Sequence, residues 1–186
     1  MERQFNFSAG PGTLPLEVLQ EAQDEMLVYR DAGASVIEIS HRSPQYTAVV
    51  DSARSLLREL LGIGDDWSIL FLQSGASLQF YQAPLNFLTG QTCADYVITG
   101  AWAKKAHKEA SMIGDARIAA SSADSNFSYI PDTSTWKVSE DAAYLHMTSN
   151  NTIYGTQIKG DPDVGVPLIC DASSDFLSRP IDMSKY

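Results

Sequence analysis

The chain has 186 residues, of which 44% are hydrophobic and 19% are charged. That much apolar sequence can bury a sizeable core, so we expect a folded protein of one domain, or one domain and part of a second. Thirteen Lys and Arg residues against 23 Asp and Glu residues give a formal net charge of −10. Because a nucleic-acid-binding face needs concentrated positive charge, nucleic acid is not expected as a partner.

Other features of the sequence argue for a soluble, cytoplasmic protein. No apolar run approaches the ~20 residues that a membrane span requires, so no membrane partner is expected. Residues 1–5 lack the charged start and apolar stretch of a signal peptide. The two cysteines, Cys93 and Cys170, lie far apart beside strand-like segments and are predicted to be free, buried thiols. With three histidines beside them, they show no zinc-ligand spacing, and no metal site is expected.

Apolar runs alternate with helical stripes, which predicts an α/β fold with a mainly parallel sheet flanked by helices. The predicted helices run from Pro15 to before Gly33, from a Ser43-Pro44 cap to Gly62, after Ser77 with an interruption at Pro84, and from Ala101 to Met112. The predicted strands are 36–39, 68–72, 96–99, 117–120, 143–147 and 166–170. Residues 121–135 and 149–162 are expected to be loops.

The predicted strand 68–72 runs into the small residues Ser74, Gly75, Ala76 and Ser77, directly before a helix. Small residues allow the backbone to close on an anion, and a helix N-terminus offers free N–H groups and a positive dipole end. An anion site is one interpretation of this segment. A tight turn with a serine helix cap is the alternative.

Two other predicted strands end in side chains that suit a flat heteroaromatic ligand. Trp102 follows strand 96–99, where an indole can stack on a ring or fill the core between helix and sheet. Asp171 follows strand 166–170. A carboxylate at the end of a buried strand needs a partner, and either a protonated ring nitrogen or the N–H groups of the following turn would serve.

Polar loop residues add further candidates. Arg42, beside His41, offers a guanidinium fork that suits a carboxylate or phosphate, although a solvated loop arginine is the plain alternative. Thr152 offers a hydroxyl near the same strand ends, or it belongs to an ordinary turn. The lysines of one predicted helix, Lys104, Lys105 and Lys108, are expected to form a solvated face.

No Gly-x-Gly-x-x-Gly segment follows a strand, and no Gly-Lys-Ser/Thr segment is present. A nucleoside-triphosphate enzyme is therefore disfavoured. Taken in order, the segments instead resemble the phosphoserine aminotransferase family, class-V enzymes of fold type I that depend on pyridoxal phosphate (PLP). The segments that carry the resemblance are 5–12, 40–43, 71–80, 84–86, 100–102, 148–155 and 171–174.

The resemblance implies the N-terminal part of a large PLP-binding domain, with residues 1–14 as an N-terminal arm and the C-terminal small domain absent. It implies a cytoplasmic homodimer of serine biosynthesis. Such an enzyme transfers an amino group between L-glutamate and 3-phosphohydroxypyruvate and gives O-phospho-L-serine.

The resemblance also implies roles for individual residues. The implied cofactor-binding residues are Gly75, Ala76, Ser77, Trp102, Thr152 and Asp171, and the implied substrate-binding residues are His41 and Arg42. Ala76 and Ser77 would hold the cofactor phosphate, and Trp102 would stack on the pyridine ring. Thr152 would contact the polar edge of the cofactor. Asp171 would keep the pyridine nitrogen protonated, so that the ring can accept electrons.

Two departures from the family pattern stand out. The family usually has glycine where this chain has Ser74. The family's Schiff-base lysine follows the position that matches Tyr186, so no catalytic residue is assigned in this chain, and Lys185 is not expected to replace it. The 186 residues alone are therefore expected to be inactive. Two alternatives remain open: a non-catalytic PLP- or anion-binding fragment or interaction module, and another fold-type I PLP enzyme such as a lyase or desulfurase.

Overall fold

The computed structural model describes residues 3–90 and 92–186. The chain divides into two compact units, an N-terminal unit that ends at Ile69 and a C-terminal unit, Leu70–Tyr186. The helices are α1 (Leu16–Asp24), α2 (Pro44–Leu61), α3 (Gly75–Phe87) and α4 (Ala101–Ser111). The strands are β1 (Cys93–Ile98), β2 (Asp115–Ser121), β3 (Ala142–Thr148), β4 (Asn150–Asn151), β5 (Thr156–Gln157) and β6 (Leu168–Asp171).

The N-terminal unit contains α1 and α2, and α2 has the two caps that the sequence predicts. Ser43 Oγ accepts a hydrogen bond of 3.2 Å from the backbone N–H of Tyr46, and Pro44 takes the first helical position, where its missing N–H costs nothing. Gly62 ends the helix in the left-handed conformation, with φ of 64°, which glycine adopts without steric penalty.

Two other predictions for this unit are corrected. The first helix is shorter than predicted: it ends at Asp24, and farther along the chain the N–H of Tyr29 donates to the carbonyl of Ala34 at 2.9 Å in a turn. The predicted strand 36–39 is wrong. The residues there form turns around the carbonyl of Ser35, and none of the described residues pairs with them as a strand.

The first segment of the chain was predicted to be an arm. Residues 1 and 2 lie outside the described residues, and residues 3–14 contain no helix or strand. Two contacts order this segment locally: Arg3 donates to the carbonyl of Leu14 at 2.6 Å, and the hydroxyl of Thr13 donates to the carbonyl of Asn6 at 2.7 Å.

The C-terminal unit is built on a four-stranded parallel sheet of order β2-β1-β3-β6. β1 and β3 are the central strands and are almost wholly buried, which explains why most of their residues are apolar. One face packs against α3 and α4 through Phe80, Tyr96 and Tyr144. The opposite face carries Leu145 and Met147 in a second core cluster. The α/β fold class with a mainly parallel sheet is thus confirmed.

The predicted strand 68–72 is wrong. None of the described residues pairs with this segment as a strand, and the side chains of Leu70 and Leu72 are 69% and 60% exposed. An apolar run becomes a strand only where a neighbour completes its backbone hydrogen bonds. The described chain supplies no such neighbour to these residues.

The predicted interruption at Pro84 is also wrong, because α3 continues through it to Phe87. A proline inside a helix lacks one backbone donor, but packing can hold the helix together. Pro84 and Phe80, one turn apart on α3, are both buried, and the N–H of Leu88 donates to the Pro84 carbonyl at 2.9 Å.

The other C-terminal elements match the predictions within a few residues. One addition is the two-stranded hairpin of β4 and β5, which lies in the predicted loop 149–162. Both cysteines are free, Cys93 buried and Cys170 half-buried. Within residues 3–90 and 92–186, no helix is long and apolar enough to cross a membrane, and no cluster of three or more acidic, His or Cys side chains is arranged to hold a metal ion.

Candidate functional site

The carboxyl ends of the parallel strands meet at one edge of the sheet, where α/β proteins bind ligands. The chain turns from β1 into α4, whose first turn carries Trp102. Thr152 lies in the turn between β4 and β5, in the hairpin that follows β3 in the chain. Asp171 is the last residue of β6. The topology therefore brings three of the predicted site residues to the same edge.

A buried hydrogen-bond network connects the ends of β1 and β3. The amide of Asn151 donates to the hydroxyls of Thr99 at 3.1 Å and Thr156 at 3.2 Å. A Cβ at Gly100 would lie 2.5 Å from Asn151 Oδ1, so only glycine permits this close approach. Sequence reasoning placed a turn at Gly100 but missed that Asn151 holds the turn against β4.

Asp171 shows the turn-capping contact that was one of its two interpretations, and its role toward a ring nitrogen remains a prediction. Its Oδ1 accepts hydrogen bonds from the backbone N–H of Ser173 at 3.1 Å and from the Ser173 hydroxyl at 2.6 Å, which is the turn-capping arrangement. Its backbone carbonyl accepts from the N–H of Ser149 at 3.0 Å. The carboxylate is therefore held in place at the edge of the sheet, half-buried and beside Thr148 of β3.

Two buried polar side chains lie on β3 next to Asp171, and sequence reasoning did not identify either. His146 and Thr148 are 3% and 2% exposed, and no described residue forms a hydrogen bond with His146 Nδ1 or Thr148 Oγ1. The imidazole stacks on the Tyr96 ring, with centroids 5.1 Å apart. Burial lowers the His146 pKa to about 4 although the Asp171 carboxylate acts to raise it, so the ring is neutral at pH 7. Polar residues inside an apolar strand were the available signal.

The N-terminus of α3 holds the small residues that were predicted to bind an anion. Ser74 precedes the helix with φ of 77°, and its side chain makes no capping hydrogen bond, so the predicted alternative of a serine cap is not realised there. The first N–H groups of an α-helix have no hydrogen-bond partner within the helix. In α3 these are the N–H groups of the residues that follow Ser74. A left-handed conformation favours glycine, so Ser74 adopts a backbone conformation that is uncommon for a residue with a side chain.

Lys105 departs from the expected solvated face. It is half-buried, whereas Lys104 and Lys108 are exposed. Its Nζ donates to Ser77 Oγ at 2.8 Å and lies 5.9 Å from the centroid of the Trp102 ring. Residues three apart on a helix share a face, so α4 directs Lys105 and Trp102 together. One side chain thereby connects two residues that the sequence placed in separate segments.

His41 and Arg42 belong to the N-terminal unit. Both side chains are exposed in the turn before α2, and the backbone N–H of Arg42 donates to Ser40 Oγ at 3.2 Å. Their predicted substrate-binding role remains a prediction. Lys185, which was not expected to replace the family's lysine, forms an ion pair of 2.7 Å with Asp163.

Comparison with known proteins then decides the family. A family model described as aminotransferase class-V matches residues 4–186. The chain belongs to this family. It is 54% identical over 186 residues to phosphoserine aminotransferase of Bacillus subtilis (strain 168), covering 100% of this chain and 52% of that protein. It is 53% identical over 182 residues to phosphoserine aminotransferase of Laribacter hongkongensis (strain HLHK9), covering 98% of this chain and 51% of the relative.

Solved structures agree with the class-V fold. Phosphoserine aminotransferase from Bacillus circulans subsp. alkalophilus superposes with a TM-score of 0.95 at 50% identity, covering 100% of this chain and 52% of that chain. A PLP-bound phosphoserine aminotransferase from Trichomonas vaginalis gives a TM-score of 0.90 at 43% identity, covering 98% of this chain and 52% of that chain. This class-V aminotransferase chain thus spans about half the length of the curated relatives it matches.

The cofactor of this class-V family is PLP, and the residues at the sheet edge fit it chemically. The N–H groups at the start of α3 suit a phosphate, because the Ser74 side chain does not cap them. Trp102 is 40% exposed and offers an aromatic face. The carboxylate of Asp171 and the buried polar atoms of His146 and Thr148 suit a polar heteroaromatic ring.

Proposed function

We propose that this chain is part of a phosphoserine aminotransferase, which transfers an amino group between L-glutamate and 3-phosphohydroxypyruvate and gives O-phospho-L-serine in serine biosynthesis. One observation carries the proposal. The N-terminus of α3, Trp102, Thr152 and Asp171 belong to a single unit of a class-V aminotransferase chain, the last three at one edge of the sheet.

Within this proposal, different residues of the C-terminal unit bind different parts of the cofactor. Gly75, Ala76 and Ser77 bind the phosphate through the N–H groups and dipole of α3. Trp102 stacks on the pyridine ring, and Thr152 hydrogen-bonds its polar edge.

Residues at the edge of the sheet control the charge at the ring nitrogen in this proposal. Asp171 holds a proton at that nitrogen, because a fixed carboxylate favours the positive ring. Ser173 keeps the carboxylate oriented through its two hydrogen bonds. When bound, PLP supplies an electron sink for the substrate's α-carbon.

The substrate and the assembly follow from the same proposal. Both proposed substrates are acidic, and the guanidinium of Arg42, with His41 beside it, suits a carboxylate or phosphate. The chain would form part of a large PLP-binding domain, with residues 1–14 as an arm and a small domain contributed by sequence outside these 186 residues. We infer a cytoplasmic homodimer as the working form.

The experiment uses the protein that carries this sequence, at its full natural length. After incubation with PLP and dialysis, it should retain about one cofactor per chain and convert L-glutamate and 3-phosphohydroxypyruvate into phosphoserine, measured by absorbance and by ³¹P NMR. Asp171→Asn should weaken PLP retention about tenfold, because a charge-assisted hydrogen bond is lost. Glu140→Gln, an exposed carboxylate of the same unit, serves as the control.

The outcomes separate the alternatives. PLP retention without phosphoserine formation would favour another fold-type I enzyme, such as a lyase or desulfurase. A protein that neither retains PLP nor forms phosphoserine would favour an interaction module. If Asp171→Asn retains PLP as well as Glu140→Gln does, the role of Asp171 is refuted.

A further inference from the structure

We propose that Lys105 binds the cofactor phosphate directly, as a charged partner beside Ser77 and the N-terminus of α3. The inference rests on the proposed function, because it takes the phosphate of PLP as the ligand. It adds a residue that the sequence pattern assigned to solvent.

The position of the ammonium is the first argument. Lys105 Nζ lies 2.8 Å from Ser77 Oγ, so it touches a residue in the first turn of α3. It also lies 5.9 Å from the centroid of the Trp102 ring. In the proposed function the phosphate binds at the start of α3 and the ring stacks on Trp102, so an ammonium close to both residues is placed to reach the phosphate.

The electrostatic setting is the second argument. A helix N-terminus carries roughly half a positive charge, so it repels a lysine placed beside it. Among the described residues, no carboxylate oxygen lies within 4.0 Å of Lys105 Nζ, whereas Arg179 and Lys185 of the same unit pair with Asp161 and Asp163. The N-terminus of α3 and the Lys105 ammonium are two positive groups that lie close together. A bound dianion that contacts both would make their proximity favourable.

The hydroxyl of Ser77 provides the third argument. A lysine ammonium only donates hydrogen bonds, so Ser77 Oγ is the acceptor in this pair. The serine O–H therefore remains available as a donor, and a phosphate oxygen is a suitable acceptor. Lys105 thus orients Ser77 as a phosphate donor while it contributes its own charge.

The experiment measures the dissociation constant of PLP by equilibrium dialysis at low and high salt, with the protein at full natural length. Lys105→Gln removes the charge and keeps a polar side chain. Lys105→Arg keeps the charge, and Lys104→Gln makes the same charge change at the neighbouring exposed position. Lys105→Met is a second charge-removing variant, and thermal melting checks that each variant folds.

We expect Lys105→Gln to raise the dissociation constant about tenfold, which corresponds to about 1.4 kcal/mol, and to reduce its salt dependence. Lys105→Arg should stay within about threefold of the parent, and Lys104→Gln should match the parent. Pyridoxal, which lacks the phosphate, should bind the parent and Lys105→Gln equally well.

Two results would overturn the inference alone: a parent that binds PLP and forms phosphoserine while Lys105→Gln behaves like Lys104→Gln, or an equal loss of affinity for PLP and pyridoxal. The second result would mean that Lys105 only connects α3 to α4. A parent protein that fails to bind PLP would overturn the proposed function and this inference together.

Discussion

Tyr96 and Tyr144, from the neighbouring strands β1 and β3, share a hydrogen bond at the centre of the C-terminal unit. Their hydroxyl oxygens are 2.6 Å apart, and each residue is 1% exposed. Burial, together with the hydrogen bond to Tyr144, raises the pKa of Tyr96 far above its usual value, so the hydroxyl stays protonated. The two hydroxyls are hydrogen-bonded to each other in this apolar layer, which makes the pair sensitive to the loss of one member.

Replacing one of these tyrosines should lower the free energy of unfolding by more than half of the amount lost when both are replaced. Tyr96→Phe or Tyr144→Phe should lower the free energy of unfolding by about 1–2 kcal/mol, because each leaves a buried hydroxyl unpaired. The double variant should lose less than the sum of the two. Urea denaturation measures these values, with Tyr81→Phe, at an exposed position of the same unit, as a control within about 0.5 kcal/mol of the parent. Strictly additive losses would contradict the predicted coupling.

At the scale of elements, α2 shows how local signals define a helix. The Ser43 cap and the Gly62 stop could both be read from the sequence, because each depends on residues within four positions. Strands behaved differently. The segments 36–39 and 68–72 have the composition of strands, but neither is one, since a strand depends on a neighbour that composition does not reveal.

The cap of α2 should be measurable by substitution. Ser43→Ala should lower the stability of the helix by about 1 kcal/mol, because the N–H of Tyr46 loses its acceptor. Ser52→Ala, at an exposed position inside α2, should be neutral or slightly stabilising because alanine is the best helix former. Thermal unfolding followed by circular dichroism compares the two. An equal effect of both substitutions would argue against the cap.

At the scale of the whole molecule, the folded state should lose stability in two stages as the pH falls. Burial holds the His146 pKa at about 4, below the usual 6.5, so the unfolded chain takes up the proton first. The stability that neutral His146 contributes is complete above pH 6.5 and is lost between pH 6.5 and 4. The hydrogen bonds from Arg179 hold the Asp161 pKa at about 2, so its contribution is lost between pH 3.8 and 2.

The test is the free energy of unfolding as a function of pH. The parent should lose up to about 3 kcal/mol through His146 between pH 6.5 and 4. His146→Phe should reduce the loss of stability between pH 6.5 and 4 and leave the lower stage unchanged, whereas Asp161→Asn should reduce the lower stage. A pH profile of His146→Phe that keeps the parent's slope above pH 4 would refute the assignment.

The positions of several candidate site residues were predictable because their signal is local. Ala76, Trp102 and Asp171 stand directly at the ends of predicted elements, where backbone N–H groups, rings and carboxylates serve ligands. Lys105 and His146 were not predictable in this way. A helical lysine and a strand histidine have many possible environments, and only the neighbours from other elements distinguish them.

The α/β class, the caps of α2 and the family could all be predicted from the sequence, because periodicity, capping and ordered segments depend on residues close together in the chain. The folded structure was needed to show which apolar runs form strands, that His146 and Thr148 are buried, and that Lys105 contacts Ser77. These features depend on contacts between distant residues, 28 positions apart for Ser77 and Lys105 and 52 apart for Thr99 and Asn151. Such contacts form only when the parallel strands and their helices pack together.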